Sequence, residues 1–250
     1  MSKRILRVFV GIFAVVLVWS AIAGLNLVDS FFLPGPAQVF AELVNLFAAG
    51  IILQDISATL FRVISAFVLA LVLGIPVGLL LGSNEKLYES AEFVIDFFRS
   101  LPATAIFPLF LLILGIGDES KIAVAAFGAL LIVAFNTAHG LKHVNKHRHR
   151  AAKLMGATKI QIFRSISIWE SLPQTFAGIR TAISIALIIV IVTEMFIGTQ
   201  TGLGRRIIDF QYVYNITGMY AVIILTGLLG YALNTLFILS EKKAIHWSGK

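Results

Sequence analysis

Residues 139–173 read HGLKHVNKHRHRAAKLMGATKIQIFRSISIWESLP, and the rest of the chain is organised around this stretch. It lies between two strongly apolar segments, yet it holds Lys142, Lys146, Arg148, Arg150, Lys153, Lys159 and Arg164 with no acid before Glu170. A cation at a bilayer centre costs about 2.5 to 3.5 kcal/mol on insertion scales, so the stretch faces water. From Arg150 onward the residue order suggests a helix with one small face. Ala152 and Gly156 are four apart, Ala151 flanks them, and Leu154, Ile162, Phe163, Ile166 and Ile168 supply apolar contacts. Small residues let a second backbone come close. A long, basic, partly apolar loop of this kind reads as a docking element for a partner protein.

The flanking sequence explains why such a loop must stand apart. Of 250 residues 58% are hydrophobic and 13% are charged, about half the charged share of an average soluble domain, and the mean hydropathy is +0.93. These values define an all-α, polytopic membrane protein with one transmembrane domain over 1–250. Spans of about 20 residues plus loops leave room for five or six helices. The apolar runs place six crossings at about 8–27, 60–81, 101–116, 122–138, 177–197 and 216–239, with the water-facing loop at 139–173. Ala21-Ile22-Ala23 resembles a signal-peptidase site, but the apolar run before it exceeds a typical signal core, so an uncleaved first span is expected.

Between the crossings, Pro34-Gly35-Pro36 turns the chain, and 37–56, with Glu42 and Asp55 among apolar residues, reads as an interfacial helix. Residues 83–92 read as a polar loop, Asp118, Glu119 and Lys121 as a tight turn, and 199–215 as a polar connection. Gly74, Pro76 and Gly78 allow the second span to kink or pack closely. Lys3, Arg4 and Arg7, the seven loop cations, and Lys242, Lys243 and Lys250 all fall on one side of a six-span arrangement. By the positive-inside rule that side is cytoplasmic, and both termini with it. The net charge of +7 is therefore topological and no sign of nucleic acid.

Several chemistries lack their residues. With no cysteine there is neither disulfide nor thiolate chemistry, and no G-x-x-x-x-G-K-[ST] phosphate loop occurs, so any ATP-driven motor is another chain. No Ser, His and acid residues converge on a nucleophilic arrangement. His139, His143 and His147 recur every four residues, a spacing that puts them on one helical face and could bind a metal, but the neighbouring cations oppose it. Glu194 near the end of the fifth span lines a pathway or gate, or braces two spans. Arg99, just before Leu101-Pro102, meets an anion or reaches the cytoplasmic surface. Arg205 and Arg206 meet an acidic docking surface or lipid headgroups.

Arg150-Ala151-Ala152, Gly156, Ile166 and Ile168 resemble the EAA loop of ATP-binding-cassette importer permeases, E-A-A, three residues, G, nine residues, I-x-L-P. Arg150 stands in place of the family's Glu, and Trp169 in place of its proline. From about Phe31 onward, Arg99-Ser100-Leu101-Pro102, Phe107-Pro108-Leu109, Gly115-Ile116-Gly117 with Lys121, Glu194-Met195 and Gly202-Leu203-Gly204 follow the order seen in the nitrate, sulfonate and taurine branch. The resemblance implies a MetI-like permease core, a homodimer in the bacterial inner membrane, cytoplasmic ATPase subunits and an extracytoplasmic solute-binding protein. It implies a non-catalytic subunit that binds no cofactor itself, ATP being used by its partner, and imports a small anion or organic solute. Arg150, Ala151, Ala152, Lys153, Gly156, Ala157, Thr158 and Ile160 would form the ATPase-coupling segment, Pro102 and Glu194 the pathway or gate, and Arg205 and Arg206 the binding-protein contact. A membrane enzyme using the histidine row and a passive channel are the alternative readings.

Overall fold

The computed structural model describes residues 3–196 and 199–244; Ile197, His246, Trp247 and Lys250 lie outside them. All the regular structure among the described residues is helical, with no strand. In chain order the helices are α1 (Lys3–Gly24), α2 (Pro36–Ala48), α3 (Ile51–Ser83), α4 (Glu85–Ser100), α5 (Phe107–Leu114), α6 (Asp118–Lys142), α7 (Lys146–Leu154), α8 (Lys159–Ile162), α9 (Ile168–Met195), α10 (Leu203–Tyr212) and α11 (Ile216–Ala244). A 3-10 turn, Ala103–Ile106, precedes α5, and a π-helical turn, Phe163–Ser167, joins α8 to α9.

Of the six expected crossings, the described helices match four or five by length and composition. Among the described residues four helical stretches are long and apolar enough to span: Ile51–Ser83, Asp118–Lys142, Lys159–Met195 and Ile216–Glu241. A fifth crossing exists if α4 and the following Ala103–Leu114, bent by 85°, count as one. Helix α1 is 22 residues long and contains the shorter apolar stretch Phe9–Gly24.

Other boundaries also move, each for a local reason. The expected interfacial helix at 37–56 is two elements, because the chain breaks at Ala49-Gly50 and Asp55 belongs to the long α3. The expected loop at 83–92 is the start of α4. The Asn84 side chain caps it by accepting from the Leu87 backbone N–H at 3.3 Å, and its apolar residues Tyr88, Ala91 and Ile95 pack against Leu81 and Ala138. The expected third span, 101–116, is a 3-10 turn followed by the short α5, with Pro102 just ahead of the turn and Pro108 in the first turn of α5. The turn expected at Asp118 is the first turn of α6, and the fifth crossing begins earlier than 177 because Pro173 is accommodated inside α9. The polar connection 199–215 contains α10, whose Leu203, Ile207 and Phe210 enter a core shared with Val222 and Leu225.

The centre of the bundle is α3, α6 and α9, joined by small buried residues: Ala66, Ala70, Ala125, Ala129, Ala182 and Ala186. Lipid tails are as apolar as leucine, so helices in a membrane associate by close van der Waals contact, which small side chains permit. Gly78 of α3 is the tightest contact with α6: a Cβ there would lie 2.5 Å from the Ala134 carbonyl oxygen and 2.6 Å from Thr137 Cβ. Close packing is what Gly74 and Gly78 of this span provide. Gly78→Leu forces the two helices apart and is expected to cost about 1 to 3 kcal/mol. Thermal unfolding in detergent checks this, with Gly227→Ala, where an added Cβ meets nothing within 4 Å, as the neutral reference.

Candidate functional site

At one end of the bundle the basic loop forms an elbow. Helix α6 stops at Lys142, and the Asn145 side chain starts α7 by accepting from the backbone N–H of His147 at 2.9 Å and of Arg148 at 3.4 Å. This break corrects the histidine row. His139 and His143 stack with centroids 4.0 Å apart at the end of α6, while His147 belongs to the next helix. His149 is also engaged, its Nε2 lying 2.9 Å from Ser167 Oγ. No group of three His, Cys, Asp or Glu among the described residues could hold a metal ion.

The shared face expected for Ala152 and Gly156 does not form, because the helix has ended before Gly156. Gly156 has φ +83°, its N–H donates to the Lys153 carbonyl, and the Ala157 N–H donates to the Ala152 carbonyl, both at 3.0 Å. This is a left-handed helix stop, and glycine is required by its backbone angle, since a Cβ would meet nothing within 4 Å. Thr158 then caps α8: its N–H donates to Gln161 Oε1 at 2.8 Å, and its hydroxyl accepts from the Gln161 N–H at 3.3 Å. The two helix ends thrust Leu154, Met155 and Ile160 into the open, exposed at 90%, 87% and 70%. Arg150, Ala151, Lys153 and Thr158 are exposed around them, and Ala152 and Ala157 are half-buried. Met155 was not singled out from the sequence, although an apolar residue beside a helix-stopping glycine in a cationic loop is a readable signal.

Glu170 fastens the elbow to the bundle. Its carboxylate accepts from the Asn145 N–H at 2.7 Å and pairs with the Arg148 guanidinium at 2.8 Å, so α7 hangs from the first turn of α9.

At the far end lies a buried ionic network that joins segments distant in sequence. The Arg62 guanidinium on α3 pairs with Glu194 on α9, donates to Asp118 on α6 at 2.8 Å and to the Thr201 carbonyl at 2.9 Å. The start of α10 is held by side chains: the Gly202 N–H donates to Asp55 at 2.8 Å, the Leu203 N–H to the Thr59 hydroxyl at 2.9 Å, and the Gly204 N–H to Glu194 at 3.0 Å. Gly204 must lack a side chain, because a Cβ would lie 2.1 Å from the Ile191 carbonyl oxygen. Lys121, fully buried, donates to the Gly117 carbonyl at 2.7 Å and so fastens the turn before α6.

Glu194 is fully buried within this network and lines none of the cavities described below. Arg206 binds Asp55 at 2.7 Å, and Arg205 pairs with Asp209 one turn along α10 at 2.8 Å. Asp55, Thr59, Arg62 and Asp118 are the residues that sequence reasoning missed. An arginine early in one apolar span and a glutamate late in an oppositely directed one lie at the same level, and that pairing was the available signal.

Between the two ends Pro102, in extended conformation, sets the break between α4 and the 3-10 turn. Leu101, Ala103 and Thr104 beside it line a cavity of about 400 Å3 that extends to Gly128 of α6 and Ile185 of α9. Arg99 borders the same cavity, its guanidinium 3.8 Å above the Phe135 ring and 3.4 Å from Asp96. It does not reach out from the bundle as a lone surface cation.

An apolar helical bundle with a water-facing elbow at one end and a locked polar network at the other is the architecture of a transporter's membrane-spanning permease subunit. The chain belongs to the family described as binding-protein-dependent transport system inner membrane component, whose model matches residues 74–245. It is 32% identical over 215 residues to a probable ABC transporter permease of Brucella melitensis, covering 86% of this chain and 87% of that one. It is 30% identical over 208 residues to the taurine transport system permease of Escherichia coli, covering 81% and 75%. The fold matches the MetNI methionine ABC transporter in an inward-facing conformation with a TM-score of 0.68 and 23% identity, over 81% of this chain and 98% of that one. The protein is thus a multi-pass inner-membrane permease of an ABC importer, a non-catalytic subunit that serves with ATPase and solute-binding components.

Two outcomes follow from the geometry. Arg62→Met strands the Glu194 carboxylate in the bundle and should destabilise by about 3 to 5 kcal/mol, whereas Arg205→Ala removes a partly exposed pair and should cost below about 1 kcal/mol; thermal unfolding compares them. Gly156→Val should loosen the end of α7 by roughly 1 to 2 kcal/mol and Gly156→Asn by less, read as faster amide exchange at Gly156 and Ala157.

Proposed function

We propose that two copies of this chain form the permease of an importer for a small anion or organic solute of the nitrate, sulfonate or taurine class. The elbow and both termini face the cytoplasm, and the α10 end faces the binding protein. The chain itself holds no cofactor, and ATP is used by the partner. The observation that carries this reading is the elbow's apex, where Leu154, Met155 and Ile160 stand exposed among cations. Three large apolar side chains on a water-facing loop are unfavourable unless a partner covers them. The Glu170 staple supports a mechanical role, since a push on α7 passes through Arg148 and Asn145 into α9. Alternating access then follows from rocking of the bundles around a central route. The solute class is favoured by the likeness to the taurine transport system permease.

A passive channel would need no such apex, and the broken histidine row gives a metal-dependent enzyme no site to use. Leu154→Glu with Met155→Glu is the test. Membrane insertion should be unchanged, while co-purification of the ATPase and ATP-driven uptake should each fall at least about tenfold, as expected when charges replace the central anchors of an interface. Normal uptake by this variant would remove the elbow from the coupling path.

A further inference from the structure

Arg180 sits where a membrane protein rarely places a charge. It lies on α9 about 22 Å before Met195 and about 13 Å beyond Ser171, at 1.5 Å per residue. Ser171 marks the elbow-side level of the packed span: its carbonyl oxygen would lie 2.8 Å from a Cβ on Gly140, next to the end of α6. Arg180 therefore lies more than two helical turns past that level, within the apolar part of α9. Its side chain is exposed, and no hydrogen bond or ion pair to a described residue engages it. Glu194 and Asp118 are held by Arg62, Asp55 by Arg206, Glu170 by Arg148 and Asp96 by Arg99, and none of the described acids pairs with Arg180.

The face around Arg180 is also unlike a lipid-facing one. Ser184 follows one turn later on the same face, forms no hydrogen bond with a described residue, and borders a cavity of about 350 Å3 between α9 and α11. Thr226, Gly227 and Gly230 form the opposite wall of that cavity. Thr181, beside Arg180, is exposed, as is Ile188 farther along. Across the helix, Ile185 borders the second cavity, at the Pro102 break. Charged side chains within a bilayer turn toward a bundle interior or a water-filled space, because hydrocarbon does not solvate them.

We infer that this open face of α9 lines the solute's route, and that Arg180 with the Ser184 hydroxyl one turn away forms an anion-recognition site within it. The planar guanidinium presents paired N–H donors that match a compact oxyanion such as a sulfonate, and the Ser184 hydroxyl adds one more donor. An unpaired cation in a low-dielectric wall also concentrates anions over cations along the route. The inference deepens the importer reading and rests on it for the passage of solute.

The absence of cysteine makes the site directly testable, since Ser184→Cys introduces the only thiol of this chain. In the full complex with its ATPase, that thiol is exposed to two thiosulfonate reagents of similar size, one bearing a sulfonate and one a trimethylammonium group. The anionic reagent should modify it about tenfold faster. Adding Arg180→Gln should bring the two rates together, and Arg180→Lys should keep the preference. Failure of both reagents, while a Lys146→Cys thiol on the elbow reacts, would show a face turned to lipid and overturn the site. Equal rates unaffected by Arg180→Gln would overturn it too. If Ser184→Cys does not assemble, Thr181→Cys carries the same measurement. The modification requires neither ATP nor a known solute. An anion preference in a complex that imports nothing would therefore sink the importer reading alone, and ATP-driven uptake without any preference would sink the site alone.

Discussion

One guanidinium holds the far end of this molecule together. Arg62 reaches from α3 to α9, α6 and the backbone before α10, and each of those elements then fixes another, through Asp55, Thr59 and Glu194 on the N–H groups that open α10. A charge removed from water is tolerable only when its partners are in place, so the network forms as a unit or not at all. Three helices and a short cap are thereby locked in one register, and the polar backbone at the start of α10 needs no solvent.

Along the rest of the bundle the same three helices touch through alanine, valine and glycine, and backbone atoms come within the distance of a missing Cβ. A body packed in this way shifts as a whole more readily than it bends. The elbow is built on the opposite principle. Its two short helices end on a left-handed glycine and begin on a threonine cap, and they are fastened to α9 through one carboxylate. A push applied at Leu154 and Met155 therefore reaches Glu170 and the long helix behind it, whose other end is anchored at Glu194.

The sequence disclosed the class of fold and the place of the elbow because both rest on strong, local signals: apolar runs, and seven cations between two of them. Thr158 and Gln161 with Gly156 before them spell out the elbow's caps, but the spacing of Gly156 from Ala152 suggests a packing face, whereas its backbone angle is the reason for the glycine. The helix α4 was hidden because Lys86, Glu89, Glu92 and Asp96 give it the composition of a loop, and its buried stripe of Tyr88, Ala91 and Ile95 only makes sense once α3 and α6 are beside it. The ionic network was less legible still. Asp55, Arg62, Asp118 and Glu194 lie in separate stretches, and they reach one level only because α3 and α6 run side by side in the same direction with α9 running opposite to both.

The 85° bend between α4 and α5 has a consequence for how the chain enters the bilayer. Helix α5, from Phe107 to Leu114, extends only about 12 Å, less than half of a hydrocarbon core, and it reaches the length of a crossing only together with the bent α4. Neither piece can be threaded across by itself during synthesis. Helix α6 follows after the short Gly115-Ile116-Gly117 turn, so the two insert as a hairpin, and the nascent chain must wait for the later helix before the earlier one has a stable place.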